Sequence, residues 1–163
     1  MTKPELHNER VLAIHPVSRG FGFAVLEGPE DLIDYGVTQL KQYDQERCLA
    51  RLANLMARCE PSLLITEDPK QSRQSARAIA LLTAIRELAL GKKVRWQRSR
   101  KQGRSSRSRH AQTKHQKAVV ISETFPELAS RLPSKRKPWE SEDVRMAMFA
   151  ACALALTYFS HTG

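Results

Sequence analysis

The stretch that most constrains the fold covers residues 11–26, near the start of the chain. Its first apolar run, residues 11–14, is short and β-branched at both ends, as expected of a strand buried on both faces. Pro16 cannot donate a hydrogen bond to a neighbouring strand, so this strand is predicted to end at His15. A second apolar run, residues 21–26, follows, and the glycines at its start allow a tight reversal. The stretch therefore predicts a β-hairpin with His15 at the end of a central strand, where α/β folds often keep their chemistry.

The length and composition of the chain are those of one domain. The 163 residues are 41% hydrophobic, which is enough for one core, and nothing in the sequence indicates a second domain. Lys and Arg number 27 against 17 Asp and Glu, which gives a formal net charge of +10. This surplus predicts a polyanionic partner, with nucleic acid as the first candidate and an anionic membrane surface as the second.

Neither a membrane segment nor a disulfide or zinc site is expected from the sequence. No apolar run reaches the length of a membrane span, and residues 1–10 lack the apolar core of a signal peptide. We therefore expect a soluble, cytoplasmic protein. The cysteines lie in helical patterns without a close Cys-x-x-Cys spacing, so reduced structural thiols are expected. They are Cys48, Cys59 and Cys152.

The segments after the hairpin alternate between strand and helix patterns. Residues 31–38 have β-prone letters that fit a third, antiparallel strand at a sheet edge. From Asp44, apolar residues recur every three or four positions, which predicts a helix. Residues 62–67 then form a short buried strand that ends on a polar side chain, as the first strand does. Glu67 is therefore a second candidate site residue, with Asp68 beside it.

A long apolar helix is predicted over residues 71–90. Its apolar stripe is wider than one face of a sheet requires, and Gly91 is expected to end the helix. The extra width fits either complete burial, which is the commoner explanation, or a subunit interface. Residues 93–97 then predict a further strand.

The composition changes sharply after this strand. Residues 98–117 are rich in basic and polar side chains and almost free of apolar ones, so they cannot form a core. We expect a basic, mobile loop that leads into a helix over residues 112–125. Its guanidinium groups can bind phosphate through paired hydrogen bonds. The candidate nucleic-acid-binding residues are Arg98, Arg100, Lys101, Arg104, Arg107, Arg109, Lys114 and Lys117.

The last predicted element is a helix over residues 141–159, with Ser141 as its N-cap. A basic, proline-bounded linker over residues 133–138 precedes it. Glu140 and Asp143 would lie just before and within the first turn of this helix. Carboxylates there interact favourably with the helix dipole, so an electrostatic cap would explain both without any functional site.

The order of these elements resembles that of the ribonuclease H-like fold, and three motifs resemble the RuvC family of Holliday-junction resolvases. The family opens on Ile-Asp-Pro-Gly-Ser-Arg and a glycine-bounded turn, where this chain has Ile14-His15-Pro16-Val17-Ser18-Arg19. The other two motifs are Ile65-Thr66-Glu67, at the end of the fourth strand, and Glu140-x-x-Asp143 before an alanine-rich helix. The likeness covers nearly the whole chain.

The resemblance implies an α/β fold with a five-stranded mixed sheet, three antiparallel strands followed by two parallel ones, flanked by helices. It implies a nuclease that uses Mg²⁺ or Mn²⁺, bound by hard ligands, to hydrolyse phosphodiesters of branched DNA such as four-way junctions. It also implies a homodimer with the helix over residues 71–90 at the interface. Carried over by position, the metal ligands would be His15, Glu67, Glu140 and Asp143, and Lys114 would join them in the catalytic set.

His15 is the departure that bears most on the mechanism, because the family has an aspartate there. An imidazole has one usable lone pair, no charge and a preference for transition metals. Three outcomes are open: an active site with His15 as a ligand to Mn²⁺ or to a single metal, a site in which Asp68 replaces the lost carboxylate, and an inactive site. Two further departures from the family bear on junction specificity. Val17 stands where the family has glycine, and the residues after Glu67 lack the aromatic residue that the family has there.

Two functions are therefore carried forward. One is a metal-dependent, structure-selective DNA endonuclease, and the other is a RuvC-like protein that binds branched or duplex nucleic acid without cutting it. Retention of Glu67, Glu140 and Asp143 favours the enzyme, since acids that face a phosphate backbone would repel it. Loss of the first acid favours the binding protein. A resemblance to YqgF-type proteins would shift the substrate to RNA, but the Pro-x-Ser-Arg turn fits the resolvases better.

Overall fold

The computed structural model describes residues 9–99, 113–135 and 137–162. Its strands are β1 (Val11–Val17), β2 (Gly20–Gly28), β3 (Asp31–Gln39), β4 (Leu63–Thr66) and β5 (Arg95–Arg98). Its helices are α1 (Gln45–Cys59), α2 (Ala76–Gly91), α3 (Lys114–Thr124) and α4 (Met146–Thr162), with a 3₁₀ helix at Pro126–Arg131 between the last two.

The five strands form one mixed sheet in the order β3-β2-β1-β4-β5. The pairs β1–β2 and β2–β3 are antiparallel, while β1–β4 and β4–β5 are parallel. The predicted fold class, three antiparallel strands followed by two parallel ones, is confirmed, and β3 lies at the sheet edge as expected. Because β1 and β4 are parallel neighbours, the side chains at their carboxyl ends come together at one edge of the sheet.

Strand β1 continues past the point where the sequence predicts its end. Pro16 lies inside the strand and is opposite Phe21 of β2. The pairing of β1 with β4 stops at Ala13 and Ile65, so the rest of β1 has a partner on one side only. Proline is tolerated there because it removes no hydrogen bond from a fully paired strand. His15 consequently lies two residues beyond the last β1–β4 pair, within the strand.

The core lies on both faces of the sheet. On one face, Val11 and Ala13 of β1 pack with side chains of α3 and α4. On the other face, Leu12 and Ile14 pack with side chains of α1 and α2. All four residues are fully buried, which explains why β1 has a continuous apolar run instead of an alternating pattern.

Two glycines of β2 are required by close approach of other backbone segments. A Cβ on Gly22 would lie 2.5 Å from the Cβ of Ala147, at the start of α4, and one on Gly20 would lie 1.9 Å from the Thr38 carbonyl oxygen. The predicted hairpin is present, with its reversal at Ser18 and Arg19, and neither glycine has a positive φ. Gly22 lets the first turn of α4 lie directly on the sheet.

Two helices begin about one turn later than the sequence predicts. Helix α2 starts after Ser75, whose hydroxyl accepts a hydrogen bond from the Ala78 amide at 3.2 Å. Helix α4 starts at Met146, so Ser141 is not its N-cap and Asp143 lies before the helix. The Asp143 carboxylate accepts a hydrogen bond from the Arg145 amide at 2.9 Å, and such a local bond competes with helical pairing.

Some sequence predictions fall on residues that the structure does not describe. Arg100, Lys101, Arg104, Arg107 and Arg109, all in the predicted basic loop, lie outside the described residues. Among the helices that the structure does describe, none is long and apolar enough to cross a membrane. All three cysteines are free and buried in the structure.

Candidate nucleic-acid site

A cleft of about 650 Å³ opens at the edge of the sheet where β1 and β4 end. Four segments contribute charged or titratable side chains to its walls: β1, the residue after β4, the first turn of α3, and the segment before α4. These side chains are His15, Glu67, Lys114, Lys117, Glu142 and Asp143.

His15 comes from β1 and is half-buried at this edge. Burial lowers the pKa of its imidazole below the ordinary value of 6.5, and the Lys114 charge acts in the same direction. The Glu67 and Glu142 carboxylates raise the pKa but do not outweigh burial. The ring is therefore neutral at pH 7 and has one nitrogen lone pair available.

Glu67 is held in place by its neighbours at the end of β4. Thr66, which is fully buried, donates a hydrogen bond to the Glu67 carbonyl at 2.7 Å and accepts one from Trp96 Nε1 at 3.0 Å. The Glu67 carboxylate accepts a hydrogen bond from the Gln74 side-chain amide at 3.1 Å. The carboxylate is thus oriented by an uncharged partner.

Asp143 is bound by a cation from its own segment. The Arg145 guanidinium donates to both carboxylate oxygens of Asp143, with Nε at 3.0 Å from Oδ1 and Nη2 at 2.8 Å from Oδ2. These hydrogen bonds hold the pKa of Asp143 below its usual value. Asp143 is ionised at neutral pH, and its charge is balanced by Arg145.

Glu140 and Glu142 differ in position although they are close in sequence. Glu140, the residue predicted for the site, is not among the described residues that line the cleft, and its Oε1 accepts a hydrogen bond from the Lys137 amide at 3.2 Å. Glu142 lines the cleft and pairs with Lys114 at 3.4 Å. The sequence analysis missed Glu142, because helical spacing cannot rank three acids that precede the helix.

Asp68, the possible substitute for the missing first aspartate, is not among the described residues of the cleft wall. One of its oxygens accepts a hydrogen bond from the Lys70 amide at 2.9 Å, and the other is 3.5 Å from Arg98. Arg98, a candidate DNA-binding residue, is thereby held next to the end of β4. The structure brings Asp68 together with Arg98 and not with His15.

Lys114 and Lys117 lie in the first turn of α3. The Thr113 side chain accepts a hydrogen bond from the Gln116 amide, and the Gln116 side chain accepts one from the Thr113 amide, which forms a capping box. This cap fixes where α3 begins. Both lysines, predicted to bind nucleic acid, are therefore placed on the cleft wall.

The side chains of the cleft do not fit a metal ion as they lie. One imidazole and three carboxylates are suitable donors for a divalent cation. However, the carboxylates of Glu67, Glu142 and Asp143 bond to Gln74, Lys114 and Arg145, respectively. Within the described parts of the chain, no group of three or more His, Cys, Asp or Glu residues could hold a metal.

Comparison with known proteins yields structural relatives only. No model of a known protein family and no curated protein sequence matches the chain. Solved structures do match, and among them are RuvC of Thermus thermophilus in complex with a Holliday junction substrate, at 20% identity, and Thermus thermophilus RuvC, at 17% identity. Both have a TM-score of 0.61 and cover 93% of this chain, and the matches span 94% and 95% of the RuvC chains, respectively. This chain therefore has the RuvC fold over nearly its whole length, with His15 on the first strand of that fold.

Proposed function

We propose that this protein is a resolvase-like nuclease that acts on branched DNA, with four-way junctions as the preferred substrate. The observation that carries the proposal is the cleft, which His15, Glu67 and Asp143 line together with two lysines. The similar RuvC structure in complex with a Holliday junction supports the choice of substrate.

The charge of the chain supports binding to a phosphate backbone. The formal net charge is +10, and Lys114 and Lys117 line the cleft. Carboxylates in such a cleft repel phosphate, so their presence is costly for a protein that only binds. In the proposed enzyme, Lys114 and Lys117 bind the phosphate near the cut, and the basic residues between 98 and 112 bind the flanking backbone.

In this proposal the catalytic residues are His15, Glu67, Asp143 and Lys114, with Glu140 from the sequence motif and Glu142 as an addition. Glu142 is included because it lines the cleft and acts on the charge of His15. The proposal also includes a dependence on Mg²⁺ or Mn²⁺. This dependence needs a direct test, because the carboxylates are paired with protein groups in this structure.

A second candidate function is binding of branched DNA without cleavage. The ion pairs Arg145–Asp143 and Lys114–Glu142 favour it, because cations of the chain itself balance acids that a nuclease would use. His15, on the strand that opens the site, adds a neutral group. In this case the protein would recognise the junction through its fold and its basic surface alone.

The test is cleavage of a synthetic four-way junction and of a linear duplex of the same sequence, with Mg²⁺ and separately with Mn²⁺. Variants Glu67→Gln and His15→Asp are compared with the natural protein, and Glu30→Gln serves as a control because Glu30 is exposed in the β2–β3 turn. The nuclease proposal expects junction cutting that Glu67→Gln abolishes and Glu30→Gln preserves. Junction binding without cutting, with activity gained in His15→Asp, would instead establish the binding protein.

A cytoplasmic homodimer is also proposed. The outward side of α2 has small or apolar residues, with Ala76 and Ala80 exposed and Ala84 half-buried, which suits a helix-to-helix interface. Sedimentation should therefore give twice the 18.5 kDa mass of the chain. Ala80→Arg should reduce the mass to that of one chain, while Ala50→Arg, on the exposed side of α1, should not. A single-chain mass for the natural protein would overturn the dimer.

A further inference from the structure

Trp139 is far more exposed than any other large hydrophobic side chain in the described part of the protein. Its exposed fraction is 79%, compared with 58% for Leu90 and 49% for Ile33. Burial of an indole ring is strongly favourable, so a ring left in water is available for a ligand. One face of the ring is already near a cation, since Lys137 Nζ lies 5.6 Å from the ring centroid.

The turn that carries Trp139 is fixed by hydrogen bonds. The Glu140 amide donates to the Lys137 carbonyl at 2.9 Å, and the Lys137 amide donates to the Glu140 carboxylate at 3.2 Å. Farther back, Pro133 is buried and its carbonyl oxygen lies 3.1 Å from His115 Nε2. The ring is therefore displayed by an ordered turn, and little conformational entropy is lost when a ligand binds.

The turn lies next to the cleft. Glu142 and Asp143, three and four residues after Trp139, line the cleft wall. Three residues of chain reach at most about 11 Å, so the Cα atom of Trp139 lies within about 11 Å of that of Glu142. The exposed ring is thus carried by the segment that leads directly into the cleft wall.

The charges around the ring select the chemistry of its ligand. Lys137 is exposed on this turn, Lys135 is exposed two positions before it, and Lys114 and Lys117 line the cleft. An exposed aromatic ring among cations is the usual arrangement for stacking a nucleobase while the backbone phosphates are neutralised. An acidic protein partner would use the same charges but would have no need of a flat, exposed indole.

We propose that Trp139 stacks on an unpaired or unstacked base of the DNA bound in the cleft, and so recognises the branch point. This inference rests on the proposed function, since it requires DNA in the cleft. It assigns to the Lys137–Glu140 turn a role in junction specificity, which phosphate contacts cannot supply because they are the same on every duplex. Lys137 would then move from the ring face to a phosphate.

Fluorescence and affinity measurements test this inference on the full chain. The chain has two tryptophans, so the difference between the natural protein and Trp139→Phe isolates the Trp139 signal above that of Trp96. We expect a four-way junction and single-stranded DNA to quench this signal, and a fully paired duplex to leave it nearly unchanged. Trp139→Ala should weaken junction binding by about 5- to 100-fold, and Trp139→Phe should retain most of the affinity.

Two controls separate failure of this inference from failure of the proposed function. Lys135→Ala should weaken junction and duplex binding alike, because it removes charge and not stacking. If the natural protein binds the junction and Trp139→Ala binds it equally well, the stacking role is overturned while the proposed function stands. If the natural protein binds no DNA, both fail. Loss of self-association in Trp139→Ala, with DNA binding intact, would instead assign the ring to a protein contact and overturn the inference.

Discussion

The Arg145 guanidinium binds both carboxylate oxygens of Asp143, at 3.0 Å and 2.8 Å, on the wall of the cleft. Lys114 forms a second ion pair with Glu142, at 3.4 Å. Two of the acidic side chains that line the cleft, Asp143 and Glu142, are thus balanced by cations of the chain itself. A divalent cation would have to compete with these groups for the same oxygens.

Arg145→Ala is expected to increase the affinity of the protein for Mn²⁺ several-fold, because it removes the guanidinium that binds both oxygens of Asp143 and leaves only the backbone amide on Oδ1. The effect is modest because the pair is largely exposed to solvent. Titration calorimetry with Mn²⁺ measures this affinity without any substrate. Arg131→Ala is the control, since Arg131 is exposed and lies near the Tyr35 ring, on the 3₁₀ helix. Equal Mn²⁺ affinity in the natural protein and Arg145→Ala would show that Asp143 does not bind the ion.

Gly22→Ala is expected to lower the free energy of unfolding by about 1–3 kcal/mol, because the new methyl group overlaps the start of α4. Its Cβ would lie 2.5 Å from atoms of Ala147, and the backbone of either β2 or α4 must move. Gly28→Ala is the matched control, since its Cβ would meet nothing nearer than Asp31 Oδ2, at 3.8 Å. Urea denaturation of both variants gives the comparison. Equal stability would mean that α4 does not pack against Gly22.

The opening hairpin and the succession of strands and helices could be predicted from the sequence because their causes are local, whereas the mixed sheet followed from the resemblance. A short, continuous apolar run such as residues 11–14 is typical of a strand that is buried on both faces. The succession of strands and helices then limits the number of possible topologies. The role of Gly22 could not be predicted, since its close neighbour, Ala147, is 125 positions away in the chain. The sequence alone does not distinguish a glycine that permits close approach of another backbone segment from a glycine in a turn.

The candidate site could be predicted in part, for a similar reason. His15 and Glu67 were found because each follows an apolar strand run, and parallel neighbours bring such ends together. Glu142 was missed because the start of α4 depends on the Asp143–Arg145 contact, and the predicted start at Ser141 gave the wrong spacing. A residue that precedes a helix is not part of the helical repeat, so the direction of its side chain cannot be deduced from periodicity.

His15 is expected to make stability depend on pH below neutrality. Burial lowers its pKa below 6.5, so the unfolded chain takes up a proton at a pH where the folded protein does not. The free energy of unfolding should therefore fall as the pH decreases through 6.5 and level off below the folded pKa. Urea denaturation between pH 8 and pH 5 measures this slope, which His15→Gln should reduce. Identical slopes in both proteins would show that His15 is not protected by burial.

The basic loop is expected to set the salt dependence of DNA binding. Arg104, Arg107 and Arg109 lie in the predicted loop, and their replacement by Ala should weaken binding and flatten its dependence on salt. Each lost phosphate contact reduces the log-log slope by about 0.9, because one fewer counterion is released. Fluorescence anisotropy of a labelled junction over a range of salt concentrations gives this slope.

The matched control for the loop variant removes the same charge from the opposite layer of the fold. Arg47, Arg51 and Lys92 are exposed on α1 and at the end of α2, away from the α3–α4 side of the sheet. Their replacement by Ala changes the net charge as much as the loop variant does but touches no proposed phosphate contact. We therefore expect the control to keep nearly the affinity and the slope of the natural protein, because only contacts that displace counterions alter the slope. A loop variant that behaves like this control would remove residues 104–109 from the DNA interface.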